Sequence, residues 1–340
     1  MRLALLFTGA DSLRDTVAIG TAAEAAGFDS LYMVEAYRSA WVALTALAAA
    51  TSRVTLGPYV LNAYARSPML TAMTAADFQE FSQGRLHLGI GGGNRIINED
   101  WQGIPHTRVL TKMREYVDLL RTVQRTPTGE TIKFEGEVHR MHWTPRITPT
   151  VPYPISLAAI FPKMLAIAAR VADGIAGGAT LSPEFLSEVL RPTVAAHAIA
   201  AGRDPGRIEW RAVMFAAVSD DREAAYRGAR AGLCALFAPL PHPYYEYTMT
   251  EQGFGNVVER LRKLVPAGQL DAAIDAIPDA MVERFTIAGN LAECRTRLAA
   301  YEGLLDEILL SNVMPIGSAG WEAAYEGFWG LAGSQGVRFR

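Results

Sequence analysis

The chain has 340 residues, half of them apolar, and a formal net charge of −3. That length can bury a large core, and one domain over residues 1–340 is expected. No basic stretch could follow a phosphate backbone, which argues against nucleic acid as a partner. The N-terminal apolar run is too short for a secretory core, and the longest uncharged apolar stretch elsewhere, residues 41–50, covers only about half a bilayer. The two cysteines, Cys234 and Cys294, lie far apart, so neither a disulfide scaffold nor a zinc site is expected. A soluble cytoplasmic protein with no membrane partner is the expectation.

In chain order, short β-rich runs alternate with helical patterns. Strands are predicted at Leu3–Thr8, Ser30–Val34, Val54–Val60, Leu86–Ile90, Ile155–Ala159, Gly174–Gly177, Ile208–Val218 and Glu307–Asn312. Helical patterns fall near 12–26, 40–51, 68–82, 108–124, 162–172, 182–201, 221–237, 290–303 and 319–332. Gly27 ends the first helix, and Ser182-Pro183 opens a later one. Eight strands, each followed by helix, favour an α/β fold of the (β/α)8 TIM-barrel type over a doubly wound open sheet with a small second domain. Two insertions break the alternation. Residues 125–153 read as a hairpin with Phe134-Glu135-Gly136 as its turn. Residues 238–285 open on PLPHPYYEY and continue as amphipathic helix, an excursion of the kind that builds a lid or an oligomer surface.

The most informative stretch is the buried strand at Leu86–Ile90 followed by Gly91-Gly92-Gly93-Asn94. Glycines at the C-terminal end of such a strand serve a tight turn or let backbone lie against a ligand, and Asn94 and Asn98 supply amide groups beside them. The pattern lacks the third glycine of GxGxxG, and no Gly-Lys-Ser/Thr follows. Glu35-Ala36-Tyr37-Arg38 follows the second strand. Glu35, beside Tyr37 and Arg38, is a candidate for acid/base or substrate-orienting work, against a plain Glu35–Arg38 ion pair. Pro58 and Asn62 point to a break in the third strand. Small residues at Ala176-Gly177-Gly178-Ala179 precede a helix and suit either a phosphate or tight packing. Met69 and Met73 read as core filling, and His139 and His142 as solvent-facing rather than metal-binding.

Four segments, Gly27–Leu31, Ala49–Gly57, Asn62–Pro68 and Ser82–Gly91, together resemble the luciferase-like family of flavin and deazaflavin oxidoreductases. Leu56-Gly57-Pro58, Arg66-Ser67-Pro68 and Asp279–Phe285 look most like its methylenetetrahydromethanopterin reductase branch. The resemblance implies a barrel with coenzyme F420, or alternatively FMN, at the C-terminal mouth. It also implies a non-proline cis peptide between Tyr59 and Val60, forming a bulge that backs the ring. Asn62, Gly93 and Asn94 would touch that ring. Ala158, Ala159, Gly177 and Gly178 would line the phosphate-bearing tail, and Arg284 matches a cationic ligand of some relatives. The implied reaction moves a hydride between F420 and a small-molecule organic substrate. An FMN-dependent monooxygenase using molecular oxygen is the alternative, and a barrel that has lost its cofactor is a second one. A homodimer is expected by analogy. Two departures from the family pattern stand out: Glu35-Ala36 replaces an acid-His pair, which leaves any proton handling to Glu35 or Tyr37, and Ile160-Phe161 replaces a Gly-Gly before Pro162.

Overall fold

The structure is a computed structural model and describes residues 1–238, 242–316 and 320–333. Its strands, in chain order, are β1 (Arg2–Phe7), β2 (Ser30–Met33), β3 (Thr55–Pro58), β4 (Leu61–Asn62), β5 (Leu88–Gly91), β6 (Ile132–Glu135), β7 (Arg140–Trp143), β8 (Ile155–Ala158), β9 (Gly174–Gly177), β10 (Glu209–Val218), β11 (Thr286–Gly289) and β12 (Glu307–Asn312). The large sheet runs β3-β2-β1-β12-β10-β9-β8-β5-β4, and every pairing in it is parallel. Its two ends, β3 and β4, flank a cis Tyr59–Val60 peptide; β3 falls within the predicted third strand, and β4 begins just past its predicted end at Val60. The seam is closed at Leu56, whose N–H donates to Arg85 O at 2.8 Å and whose carbonyl accepts from His87 N at 2.9 Å. A Cβ at Gly57 would stand 1.8 Å from the His87 carbonyl oxygen, so only glycine lets the strands meet there. The expected barrel is present.

Alternation along the strands sorts side chains between two cores. Leu5, Phe7, Leu31 and Met33 point outward against the helices and are buried there. Ala4, Leu6, Tyr32, Tyr59, Ala176 and Leu309 point inward and form a second apolar layer, with Val34, Val60, Ala158 and Val213 half-buried above it. Below this layer, toward the N-terminal ends of the strands, the barrel is plugged by polar groups. Glu307 accepts from Arg211 Nε at 2.7 Å and from the Tyr32 hydroxyl at 3.1 Å, and Ser30 also donates to it. His87 bridges Tyr32 and Ser156 at 2.9 Å on each side. Tyr32 spends its proton on Glu307, so it accepts from His87 Nδ1–H, and His87 Nε2 accepts from Ser156. Burial and the Arg211 and Arg2 charges keep His87 neutral.

Several expectations change. The hairpin exists, but Phe134 and Glu135 belong to β6, and the turn is Gly136–His139, closed by Gly136 N donating to His139 O at 2.9 Å. A buried carboxylate organises it: Glu115 accepts from the N–H groups of Glu137, Val138 and His139 at 2.7–3.0 Å. His139 therefore packs inward, its ring 5.7 Å from that of Tyr116, while His142 is exposed. The excursion predicted through residue 285 runs into β11, which pairs with the upper half of β10 and was not expected as a strand. Within it, helices Pro243–Met249, Gly255–Leu264, Leu270–Asp275 and Asp279–Phe285 pack together around Val258, Leu261, Met281 and Phe285. Residues 239–241 of the Pro-rich opening and Ala319 of the last predicted helix lie outside the described residues. Met69 and Met73 are 39% and 43% exposed beside Leu70, on the outer face of helix Pro68–Phe81, and do not fill the core.

Candidate active site

The C-terminal ends of the parallel strands form a mouth floored by Val34, Val60, Ala158 and Val213. Parallel strands in a barrel aim their following loops to this one end. Glu35, directly after β2, lies at its rim. Its carboxyl takes the backbone N–H groups of Asn62 and Ala40 and faces the Arg66 charge. Burial raises its pKa more than these groups lower it, and Oε2 is buried without a hydrogen-bond partner. No ion pair joins it to Arg38 among the described residues; the Arg38 Nε donates instead to Gly9 O at 2.9 Å. Tyr37 is 71% exposed and packs against Trp101 at 5.8 Å, away from Glu35.

The rim beyond Glu35 is held by amide groups. Asn62 is buried, its Oδ1 accepting from Tyr64 N at 2.9 Å and its Nδ2 donating to Asn98 Oδ1 at 2.7 Å. Asn98, fully buried, donates to Gly92 O at 2.8 Å and thereby fixes the glycine turn. Gly93 follows at φ 62°. The Asn94 side chain is spent on the next turn, accepting from Ile97 N at 2.8 Å. The Asn62 and Asn94 side chains are thus committed to structure. Tyr59 is committed too: its ring lies inside the barrel and its hydroxyl donates to Gly177 O at 2.9 Å. Only Val60, of that cis pair, reaches the floor.

Across the mouth the structure differs from expectation. Helix Pro243–Met249 roofs the ends of β8 and β9. Tyr244 donates to Gly93 O at 2.8 Å, and Phe161 packs on Tyr244 and Tyr247 at 5.6 and 5.0 Å. A Cβ at Gly178 would stand 3.1 Å from Tyr245 and 3.3 Å from Ile160, so the glycine there is already covered by side chains. The helix start after β9 is engaged as well, with Ser182 N donating to Gln252 Oε1 at 3.2 Å and Ser182 Oγ accepting from Phe185 N. Arg284 is exposed at the end of helix Asp279–Phe285. Glu184 is held low by its own backbone N–H and the Ser182 hydroxyl, with a smaller contribution from Arg284. Gly93 lies against Asn62 and Asn62 against Glu35, Ala159 is buried, and the Gly177-Gly178 corner is filled. Sequence reasoning missed the roof contacts and the role of Asn98, whose only signal was an amide four residues after another.

A family model described as luciferase-like monooxygenase matches residues 3–307. A 5,10-methylenetetrahydromethanopterin reductase from Archaeoglobus fulgidus is 31% identical over 271 residues, covering 79% of this chain and 80% of that protein. Among solved structures, a coenzyme F420 dependent tetrahydromethanopterin reductase from Methanopyrus kandleri superimposes with a TM-score of 0.81 at 22% identity, covering 96% of this chain and 97% of that one. An F420-dependent secondary alcohol dehydrogenase, in complex with an F420-acetone adduct, gives 0.79 at 16% identity, covering 97% of each chain. The structural likenesses establish the fold, and the family match over most of the sequence goes further: this chain belongs to the luciferase-like monooxygenase family and is an oxidoreductase.

Proposed function

We propose that the chain transfers a hydride between coenzyme F420 and a small organic substrate at the barrel mouth. The observation that carries this reading is the half-buried apolar floor of Val34, Val60, Ala158 and Val213 with the unpartnered Glu35 Oε2 at its rim. An apolar surface suits one face of a tricyclic ring, and a carboxyl whose hold on its proton is strengthened by burial suits proton handling beside it. When bound, the cofactor would supply the redox chemistry; the protein would supply binding, orientation and the proton. The floor and the Gly92-Gly93 turn would hold the ring. The tail finds no open cradle at Gly178, and Arg284 remains its candidate cation.

The names of the relatives favour F420 over FMN. Titration of the purified protein with F420 and with FMN, followed by deazaflavin or flavin fluorescence, tests the choice. Tighter binding of F420 is the expected result. Tighter binding of FMN, with oxygen uptake when the flavin is reduced, would favour the monooxygenase reading instead.

A further inference from the structure

We infer that His106 is a locked, neutral hydrogen-bond donor of the mouth, offering its Nε2–H to a carbonyl oxygen on the edge of the bound ring. The inference rests on the proposed cofactor class, and flavin and deazaflavin rings both carry such oxygens. The lock follows from two fixed backbone groups. The Tyr64 N–H can only donate, so the Asn62 atom 2.9 Å from it is the oxygen, and Asn62 Nδ2 must donate onward to Asn98 Oδ1. The Gly92 carbonyl can only accept, so the Asn98 atom 2.8 Å from it is Nδ2. That nitrogen has a second hydrogen, and His106 Nδ1 lies 2.7 Å away. Nδ1 must therefore accept, which leaves the ring proton on Nε2.

The consequence is chemical. A neutral imidazole with Nδ1 occupied has no free lone pair and cannot act as a base; it can only donate. Protonating it would set Nδ1–H against the Asn98 N–H. Burial also opposes the charge, as does Arg95 more weakly, while Glu99 favours it. Glu99 accepts the His106 backbone N–H at 3.0 Å and is itself paired with Arg95. On the other side the His106 ring packs on Tyr64 at 5.0 Å, with the Lys112 ammonium 4.3 Å from the Tyr64 ring centre. Nε2 has no protein partner among the described residues. Asn98 thus holds His106, Gly92 and Asn62 at once, and the last two flank the floor where the ring is expected. An imidazole missing at position 36 is present here, from a different loop and in a form suited to a carbonyl rather than to a proton shuttle.

The test has two independent readouts. In protein labelled with 15N-histidine, with the signal assigned through His106→Gln, the neutral imidazole of His106 is expected to carry its proton on Nε2 alone and to gain charge only below the range of an ordinary histidine. Asn98→Asp replaces the donor by an acceptor and should move the proton to Nδ1 and raise the pKa. A wild-type ring that titrates normally as a tautomer mixture would overturn the lock. For the ligand, F420 fluorescence titration should show His106→Ala weakened about fivefold, the worth of one neutral hydrogen bond. His106→Gln, which keeps an N–H near the Nε2 position, should bind within about twofold of wild type on the same scale. Equal affinity of wild type and His106→Ala for F420 would overturn the donor role. Failure of wild type to bind either F420 or FMN would instead overturn the proposed function and with it the ring as acceptor, while the tautomer measurement would still decide the lock.

Discussion

Glu35 concentrates the chemistry of one residue. Its carboxyl binds a proton more tightly in the folded chain than in the unfolded one, because burial outweighs Arg66 and two backbone N–H groups. Stability contributed by such a group is lost as pH rises from the ordinary carboxyl range through the raised folded value. Glu35→Gln removes the titration, so its melting temperature should exceed that of wild type above that range and match it below; a uniform difference at all pH values would count against the raised pKa. If Glu35 donates the proton in turnover, Glu35→Gln should keep cofactor affinity and lower turnover at least about tenfold, equal to about 1.4 kcal/mol of barrier. Unchanged turnover would remove that role. The glutamate was legible as a candidate from its place after a strand. Its separation from Arg38 was not, because the Gly9 carbonyl that takes Arg38 comes from another strand's loop.

At the scale of elements, two segments differ in how they are held. The β6–β7 hairpin loop hangs on Glu115, where burial pushes the carboxyl pKa up and three N–H groups bring it below the usual value. Here the sign is opposite to Glu35: the stabilisation is present above the unfolded pKa and lost as pH falls through the folded one. Glu115→Ala should cost about 2 kcal/mol or more, since buried N–H groups lose a charged acceptor. Chemical denaturation at neutral pH, with amide exchange at residues 137–139, would measure it, and unprotected amides in wild type would contradict the contact. The second segment is the roof helix Pro243–Met249. If the cofactor tail runs past Gly178, Tyr245→Ala should tighten F420 binding severalfold by clearing the cradle. An unchanged affinity would place the tail elsewhere. Periodicity showed a helical excursion here, but which strand ends it covers depends on Tyr244 reaching Gly93, a contact across 151 positions of chain.

The whole barrel depends on the polar plug at its lower end. Arg211 and Glu307 are 4% and 1% exposed and paired at 2.7 Å. Arg211→Met should destabilise by about 3–5 kcal/mol because it leaves the buried Glu307 charge only the more distant Arg2, at 3.9 Å, and two hydroxyl donors. Changing both residues to apolar ones should recover part of that loss, and a smaller cost for Arg211→Met alone would mean that Arg2, Tyr32 and Ser30 suffice to satisfy the carboxylate. The plug could not be seen in the sequence. Arg211 and Glu307 sit in runs that read as apolar strands, and they meet only because β10 and β12 pair in the register Arg211↔Glu307.

What the sequence determined by itself was local: the eight barrel strands, their order, the helices between them, the break after Pro58 and the glycine turn that marks the mouth. These follow from periodicity, turn chemistry and family motifs, all carried by neighbours in the chain. Tertiary structure decided which polar atoms were already spent. Asn62, Asn94 and Tyr59 bond to protein groups, Tyr245 covers Gly178, and His106 gains its fixed tautomer from Asn98. Hydrogen-bond satisfaction is settled by partners brought together from distant strands, and residue type and spacing alone do not encode it.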